Sequence, residues 1–490
     1  MRSTLRLILF PALHALGPVL TWFSAAMLVP LAVSFIFHDG AERAFVSGVL
    51  WTACCGLLLT LVFRPFRCEL TARHGFLLVS MTWASIPAFS AIPLLEYLPD
   101  QSFAEIYFET VSSLTTTGST VLSNLDALPL SVNGWRCLLS WLGGMGLIVL
   151  AVAILPLLGV GGAQVLKAET SGPLKETKLT PRIAETARAL YTTYFAFSVV
   201  CAIGYHLAGM PWEDAIMHMM TTVSLAGVSS HDASFAYFNN PMVEVVAIIF
   251  MIISGFNFSL HFVAWRRRSV SVYLKDPEAI GWISTLLVLT IGITVALIQT
   301  STYSDWLEAL RAVAFSVVSV ASSTGYASCD YSLWPYGIPM VLLLSSTFAT
   351  CAGSAGGGMK MIRLIVLTKQ IAREFKHLLY PRAVLPISVG TMNISQPISF
   401  AILTYAILWV FSAALASFIL LLSGMPATEA ISAALACLSN LGPGLGSVGP
   451  VSTYAHLTDP QLLILSFLML IGRLELFTVY ILFSRSFWRL

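Results

Sequence analysis

Stretches of about 20 apolar residues, parted by short polar ones, run the length of the chain, and each is long enough to cross a bilayer core as a helix. They predict spans over residues 13–37, 44–63, 75–95, 138–158, 189–207, 243–264, 280–298, 339–349 with a continuation near 365 beyond a break, 400–422 and 462–483. Between several of them lies a second kind of segment, shorter and amphipathic, that ends in a polar run containing glycine. Irregular backbone at membrane depth is tolerated only where protein or a water-filled cavity meets its polar groups.

Composition fits this pattern. With 57% hydrophobic and 10% charged residues among 490, the chain reads as an all-α integral membrane protein with no soluble domain of any size. The eight cysteines are scattered singly apart from Cys54-Cys55, without a C-x-x-C pair. That argues against a zinc site or a disulfide framework and for small packing residues. The first apolar stretch is longer than a signal-peptide core and runs into further spans, so it reads as retained.

Lysine and arginine fall in alternate loops: Arg64, Arg67 and Arg73; Lys167, Lys175, Lys178, Arg182 and Arg188; Arg266, Arg267, Arg268 and Lys275; Lys360, Arg363, Lys369, Arg373, Lys376 and Arg382; then Arg485 and Arg489. The loops between carry acids such as Glu96, Asp100, Glu213, Asp214, Asp305 and Glu308. The positive-inside rule places the basic loops and both termini in the cytoplasm. The net charge of +2 is what this asymmetry requires and calls for no nucleic acid or other acidic partner.

The polar turns recur four times, as "SLTTTGST" around Gly118, "SLAGVSSHD" around Gly227, "ASSTGYASCD" around Gly325 and "LSNLGPGLGS" around Gly442. Each follows an amphipathic segment that opens with acids. Glu105, Asp214 and Glu429 stand 13 residues before their glycine, and Glu308 stands 17 before Gly325, one helical turn more. Acids suit the positive end of a helix dipole, which leaves the negative end aimed at the turn. Four such ends around an axis favour a cation, and carbonyls lining a pore resolve the exposed backbone. Glycine supplies the backbone angles that inward-facing carbonyls need. A single such turn would read as a plain linker; four matched ones do not.

These turns, together with "GGMGLIVLAVAILPLLGVGG" (143–162), "PRIAETAR" (181–188), "CAGSAGGGMKMIR" (351–363) and "GRLELFTVYILFS" (472–484), resemble the TrkH/TrkG family of bacterial potassium-uptake proteins over essentially the whole chain. The resemblance implies two extra N-terminal helices (1–70) and four helix–pore loop–helix repeats (71–165, 166–265, 266–385 and 386–490) around one potassium pathway. It also implies a homodimer in the bacterial inner membrane. Potassium would be the bound and transported ion, with no organic cofactor in this chain. In the family the two residues before each glycine also offer carbonyls, so the implied filter is Thr116, Thr117 and Gly118; Leu225, Ala226 and Gly227; Ser323, Thr324 and Gly325; Asn440, Leu441 and Gly442. Ala226 departs from the usual glycine and Val228 from the usual aromatic, which implies a reshaped second quadrant if alanine cannot reach the same backbone angles.

The eighth span is broken by "TCAGSAGGGMK" (350–360), whose four glycines would cost several kcal/mol in a straight helix, at about 1 kcal/mol each. The resemblance makes Gly353, Ser354, Ala355, Gly356, Gly357, Gly358 and Lys360 an intramembrane gate, with Arg473 below the filter contacting it and repelling cations when it is shut. On residue chemistry alone, Arg473 reads equally as a packing residue paired with Glu475 or with a carbonyl. Gly143, Gly144 and Gly146 suit close helix packing. His218 reads as a satisfied packing histidine. His231 and Asp232 read as a solvated pair at the mouth, or as a means of concentrating cations there.

No G-x-x-x-x-G-K-[ST] or strand-flanked G-x-G-x-x-G occurs, so nucleotide control must come from another chain. The resemblance implies a cytosolic TrkA-type ring sensing ATP, ADP or NAD(H), docked on the basic loops through Lys360, Arg363, Lys369 and Arg373. An intramembrane enzyme lacks H-E-x-x-H and G-x-S-x-G. A proton- or sodium-coupled potassium symporter would need a titrating intramembrane acid, for which Glu244 and Glu475 are the main candidates.

Overall fold

The computed structural model describes residues 2–149, 183–390 and 392–489. Helix Arg2–Ser24 passes through a short 3-10 turn into Leu28–Phe37, and Glu42–Val62 returns beside it. Four units follow. The first has Ala72–Tyr97, pore helix Phe103–Leu114 and inner helix Leu130–Val149; the second has Ile183–Leu207, pore helix Trp212–Val223 and inner halves Pro241–Gly255 and Phe258–Arg267. The third has Pro277–Gln299, pore helix Trp306–Ala321 and inner halves Ile338–Ser345 and Met361–Leu379; the fourth has Gln396–Leu422, pore helix Ala427–Ser439 and inner halves Asp459–Arg473 and Leu476–Tyr480. Among the described residues one antiparallel hairpin, Ile387–Val389 with Met392–Ile394, interrupts the helices between units three and four. The chain is an all-α integral membrane protein with two leading helices and four helix–pore loop–helix units.

Among the described residues six helices are long and apolar enough to cross a membrane, and the inner halves of units two and four are bent by 94° and 113°. Straight spans were expected at 243–264 and 462–483. Hydropathy misses the bends because both halves are apolar; the local signals are Asn257, whose side chain accepts from Ser259 N at 2.8 Å to cap a new helix, and Glu475, held at φ 66°. The expected break in unit three is present between Ser345 and Met361. The expected span 138–158 begins earlier, at Leu130, and its end, with Lys167, Lys175, Lys178 and Arg182, lies outside the described residues.

Burial divides in two. One core joins units one and four through residues such as Phe108, Trp135, Tyr454 and Leu462; the other joins two and three through Tyr205, Phe235, Trp282 and Tyr326. Trp22, Leu58, Val288 and Phe411 point outward, as apolar side chains do where the solvent is lipid tail. Pore helices one and three start at side-chain caps, whereas those of units two and four follow Pro211 and Pro426. Ser102 Oγ accepts from Glu105 N while Glu105 Oε2 accepts from Ser102 N at 2.6 Å, a reciprocal box. Asp305 likewise accepts from Glu308 N.

Candidate functional site: a ring of four turns

All four pore helices end alike. Thr116, Leu225, Ser323 and Asn440 are left-handed, with φ of 55°, 55°, 60° and 53°. The next N–H turns back to the carbonyl five residues earlier: Thr117 to Ser112, Ala226 to Thr221 and Thr324 to Ser319 at 2.8 Å, and Leu441 to Ala436 at 2.9 Å. This is a Schellman closure, a place where glycine is usual. A left-handed L-residue costs about 1–2 kcal/mol, so the surrounding packing holds these four turns in place. The glycine that follows is left-handed again, at 87°, 68°, 89° and 98°. Alternating hands turn successive carbonyls toward one side.

Contacts close the ring. A methyl on Gly118 would lie closer than 3.0 Å to the carbonyl oxygen of Ala226, one on Gly227 to that of Thr324, one on Gly325 to that of Leu441, and one on Gly442 to that of Thr117. Each strand therefore uses the space beside the glycine of the one before it. The Ala226 departure leaves the second quadrant unchanged: Ala226 is not left-handed, nor are its counterparts, and it makes the same turn bond. Val228 is buried beside Cys137 and Met217.

Buried backbone carbonyls are almost always paired. Among the described residues the carbonyls of the twelve expected filter residues accept no hydrogen bond, with one exception. Gly442 O accepts from Ser119 Oγ and Tyr454 OH, both at 2.9 Å. Its two lone pairs are committed to protein, so the fourth strand differs from the rest at that atom. Above the glycines lies a polar cavity of about 270 Å³, lined by all four of them with Arg136 and His231.

His231 is not part of a solvated pair. It is wedged between Asp126 and Asp214 Oδ1, the latter at 3.1 Å, and stacks on Tyr237 at 3.6 Å, while Asp232 accepts from Leu125 N. Burial disfavours its imidazolium, but the bonds and charges of Asp214 and Asp126 outweigh it and raise its pKa above the ordinary value. Burial raises both carboxyls as well, yet the contacts with His231, joined by Asp232 at Asp126 and by Ser230 and His218 at Asp214, leave them below theirs. His218 is satisfied as expected, between Asp214 O and Ser229 Oγ, each at 3.0 Å. Gly143 and Gly144 let the inner helix approach Leu114 and Ser224; Gly146 has room to spare.

Below the ring, the broken span packs against the ends of pore helices three and four. Gly357 N donates to Ser323 Oγ at 2.6 Å, and a methyl on Gly357 would overlap Ser439 O. Cys351 N donates to Gly255 O and Phe258 N to Gly353 O, both at 3.1 Å, so the loop rests in the bend of unit two. Ala352 N donates to the buried Glu278 carboxylate at 2.9 Å. Lys360 Nζ donates to Ser354 Oγ at 3.2 Å and to Gly356 O. Arg473 is buried and its Nη1 donates to Ala355 O at 2.9 Å; Nε and Nη2 have no protein partner among the described residues. Of the two expected pairings the carbonyl is the one found, because Glu475 pairs with Arg363, whose guanidinium lies 3.5 Å from the Tyr405 ring centre. Lys360 and Arg363 are buried, which removes them as surface contacts for a partner; Lys369 is exposed and Arg373 partly so. Asn257, Glu278, Glu109 and Arg136 were missed, since nothing in the sequence brings them to the filter or the loop.

A ring of carbonyls, all but one without a protein donor among the described residues, has the chemistry to take the place of water around a small cation. The comparisons agree. The sequence profile of the TrkH family, described as a cation transport protein, matches residues 41–490. The Trk system potassium uptake protein TrkH of Halomonas elongata is 43% identical over 97% of this chain and 98% of its own length, and that of Escherichia coli K12 is 40% identical over 96% and 98%. The crystal structure of the potassium transporter TrkH from Vibrio parahaemolyticus superposes with a TM-score of 0.90 at 37% identity, covering 98% of this chain and 99% of that one. The chain belongs to the TrkH family.

Proposed function

We propose that this protein takes up potassium across the bacterial inner membrane through the ring of four turns. The observation that carries the reading is the set of carbonyls on the buried residues Thr116, Thr117, Leu225, Ala226, Ser323, Thr324, Asn440 and Leu441 and the half-buried Gly118, Gly227 and Gly325, which meet no protein donor among the described residues. Such oxygens replace the hydration shell of a desolvated cation, and the names of the relatives support potassium as that ion. Residues 350–360 act as the gate, held shut beneath the filter by Arg473 on Ala355 and by Lys360 on Ser354 and Gly356. The repeats run over 71–165, 166–265, 266–385 and 386–490 after the leading helices. Two copies form a homodimer with both termini in the cytoplasm, and a TrkA-type ring binding ATP, ADP or NAD(H) docks on the inner basic loops through Lys369 and Arg373.

Flow is channel-like rather than coupled. Glu244 is held by Arg311 through two bonds of 2.8 and 2.7 Å, and Glu475 by Arg363, so neither candidate acid stands free to carry a proton. The test is potassium and sodium flux into liposomes, wild type against Gly118→Ser, with a pH gradient varied at fixed potential. Potassium-preferring flux that ignores the pH gradient and loses its preference in the variant is expected. Flux that follows the pH gradient would replace the channel with a symporter, and no cation flux with the ring subunit present would end the pore reading.

A further inference from the structure

A buried ion pair stands behind the first turn. Glu109, in the first pore helix, and Arg136, in the first inner helix, are 1% exposed; Arg136 Nη2 lies 2.7 Å and Nε 2.8 Å from Glu109 Oε1. The other carboxylate oxygen accepts from Thr120 Oγ1 at 2.9 Å and Val121 N at 3.0 Å, the exit of the first turn. Arg136 Nη1 donates to Asn133 Oδ1 at 3.0 Å and to Ser229 O, the exit of the second turn, at 3.2 Å. One ion pair therefore ties a pore helix, an inner helix and two neighbouring filter strands.

Position explains the arrangement. Nine residues before the four glycines stand Glu109, His218, Ser316 and Ala433, and two residues after them stand Thr120, Ser229, Ala327 and Gly444. The Glu109–Thr120 bond is thus repeated in unit two as His218 Nε2 to Ser229 Oγ at 3.0 Å. Units three and four use neutral bonds instead: Ser319 Oγ to Tyr326 O at 2.7 Å and Leu445 N to Ser432 Oγ at 2.9 Å. Among the described residues the Glu109–Arg136 pair is the ion pair that reaches the exits of both the first and the second turn. Burying two charges is expensive and seldom adds stability, so such a pair is better understood by what it positions. Arg136 also lines the outer cavity, where its charge would repel an approaching cation without Glu109 beside it.

We propose that Glu109 and Arg136 are positioning residues for ion selection. The pair fixes the spacing of the first and second filter strands at their outer ends and cancels a positive charge at the mouth. This rests on the pore reading above. The experiment compares potassium and sodium flux in liposomes for wild type, Glu109→Gln, Arg136→Gln and the double variant, at low and high ionic strength. Glu109→Gln should lower the potassium-to-sodium ratio by about tenfold, which is about 1.4 kcal/mol at the ion site, and slow entry at low salt, with entry recovering as salt screens the charge at the mouth. The double variant should recover entry but not selectivity, which separates the two roles from a general loss of stability. A wild-type ratio in Glu109→Gln, against a potassium-selective wild type, overturns the proposal and leaves the pore reading standing; a wild type without potassium preference removes both. If Glu109→Gln does not fold, Thr120→Val, which deletes only the hydroxyl that the pair holds, must lower the ratio, and an unchanged ratio overturns the proposal.

Discussion

Adding one methyl at Gly227 and removing one at Ala226 are opposite changes one residue apart, and the ring assigns them very different costs. Gly227 is left-handed at φ 68° and a methyl there would overlap Thr324 O. Gly227→Ala therefore carries about 1–2 kcal/mol for the left-handed backbone and about 1–3 kcal/mol for overpacking, together about 2–5 kcal/mol. The strain relaxes by pushing the third strand away, because the overlapped atom is backbone of that strand. Each 1.4 kcal/mol is about tenfold in an equilibrium constant. If only that part reaches the ion site, the potassium-to-sodium ratio falls about tenfold. Ala226→Gly adds backbone freedom worth about 0.5–1 kcal/mol at a residue that is not left-handed, and should leave the ratio within a few-fold of wild type. Competitive uptake of the two ions by proteoliposomes, with thermal unfolding in detergent as a check on folding, measures both. Wild-type selectivity in Gly227→Ala, or equal losses in the two variants, would refute the ring geometry.

Two further outcomes follow from groups on either side of the ring. Arg473→Ala removes a buried cation and its bond to Ala355 O, a charged hydrogen bond worth about 1.5–3 kcal/mol; flux measured without the ring subunit should rise, whereas unchanged flux with a lower protein yield would make Arg473 a packing residue. At the mouth, the raised His231 pKa means its link to Asp126 and Asp214 is fully present below the ordinary imidazole value of 6.5 and is lost as pH rises through the raised one. The lowered carboxyl pKa values mean their share is present above 3.8 and lost as pH falls through the lowered ones. Melting temperature in detergent should therefore decline on the alkaline side in wild type and decline less in His231→Gln; superimposable pH curves would remove the link.

Hydropathy placed most spans because a bilayer reads length and apolarity directly, and the ends at Val62, Leu207, Gln299 and Leu422 fall close to the expected ones. The four turns were legible through recurrence, since glycine and an acid-led helix each have a physical reason to recur. The bends at Asn257 and Glu475 were not, because a window average over two apolar halves looks the same straight or folded. Side-chain partners were hidden for another reason. Glu109 and Arg136 are 27 positions apart, Arg363 and Glu475 are 112 apart, and only packing decides that Glu475 takes Arg363 rather than Arg473 two positions away. The hairpin at Ile387–Ile394 carried too short a pattern to stand out from a loop.

The contacts between strands give the ring a direction. Each glycine leaves room for an oxygen of the next unit and none for the previous one, in the order one, two, three, four and back to one. Damage therefore travels one way round: a bulky residue at Gly442 displaces the first strand through Thr117 and leaves the third untouched, while the same change at Gly325 displaces the fourth. Four units joined by a symmetric contact would share a lesion equally, whereas this handed ring passes it to a single neighbour, so the quadrant that fails is not the quadrant that was changed.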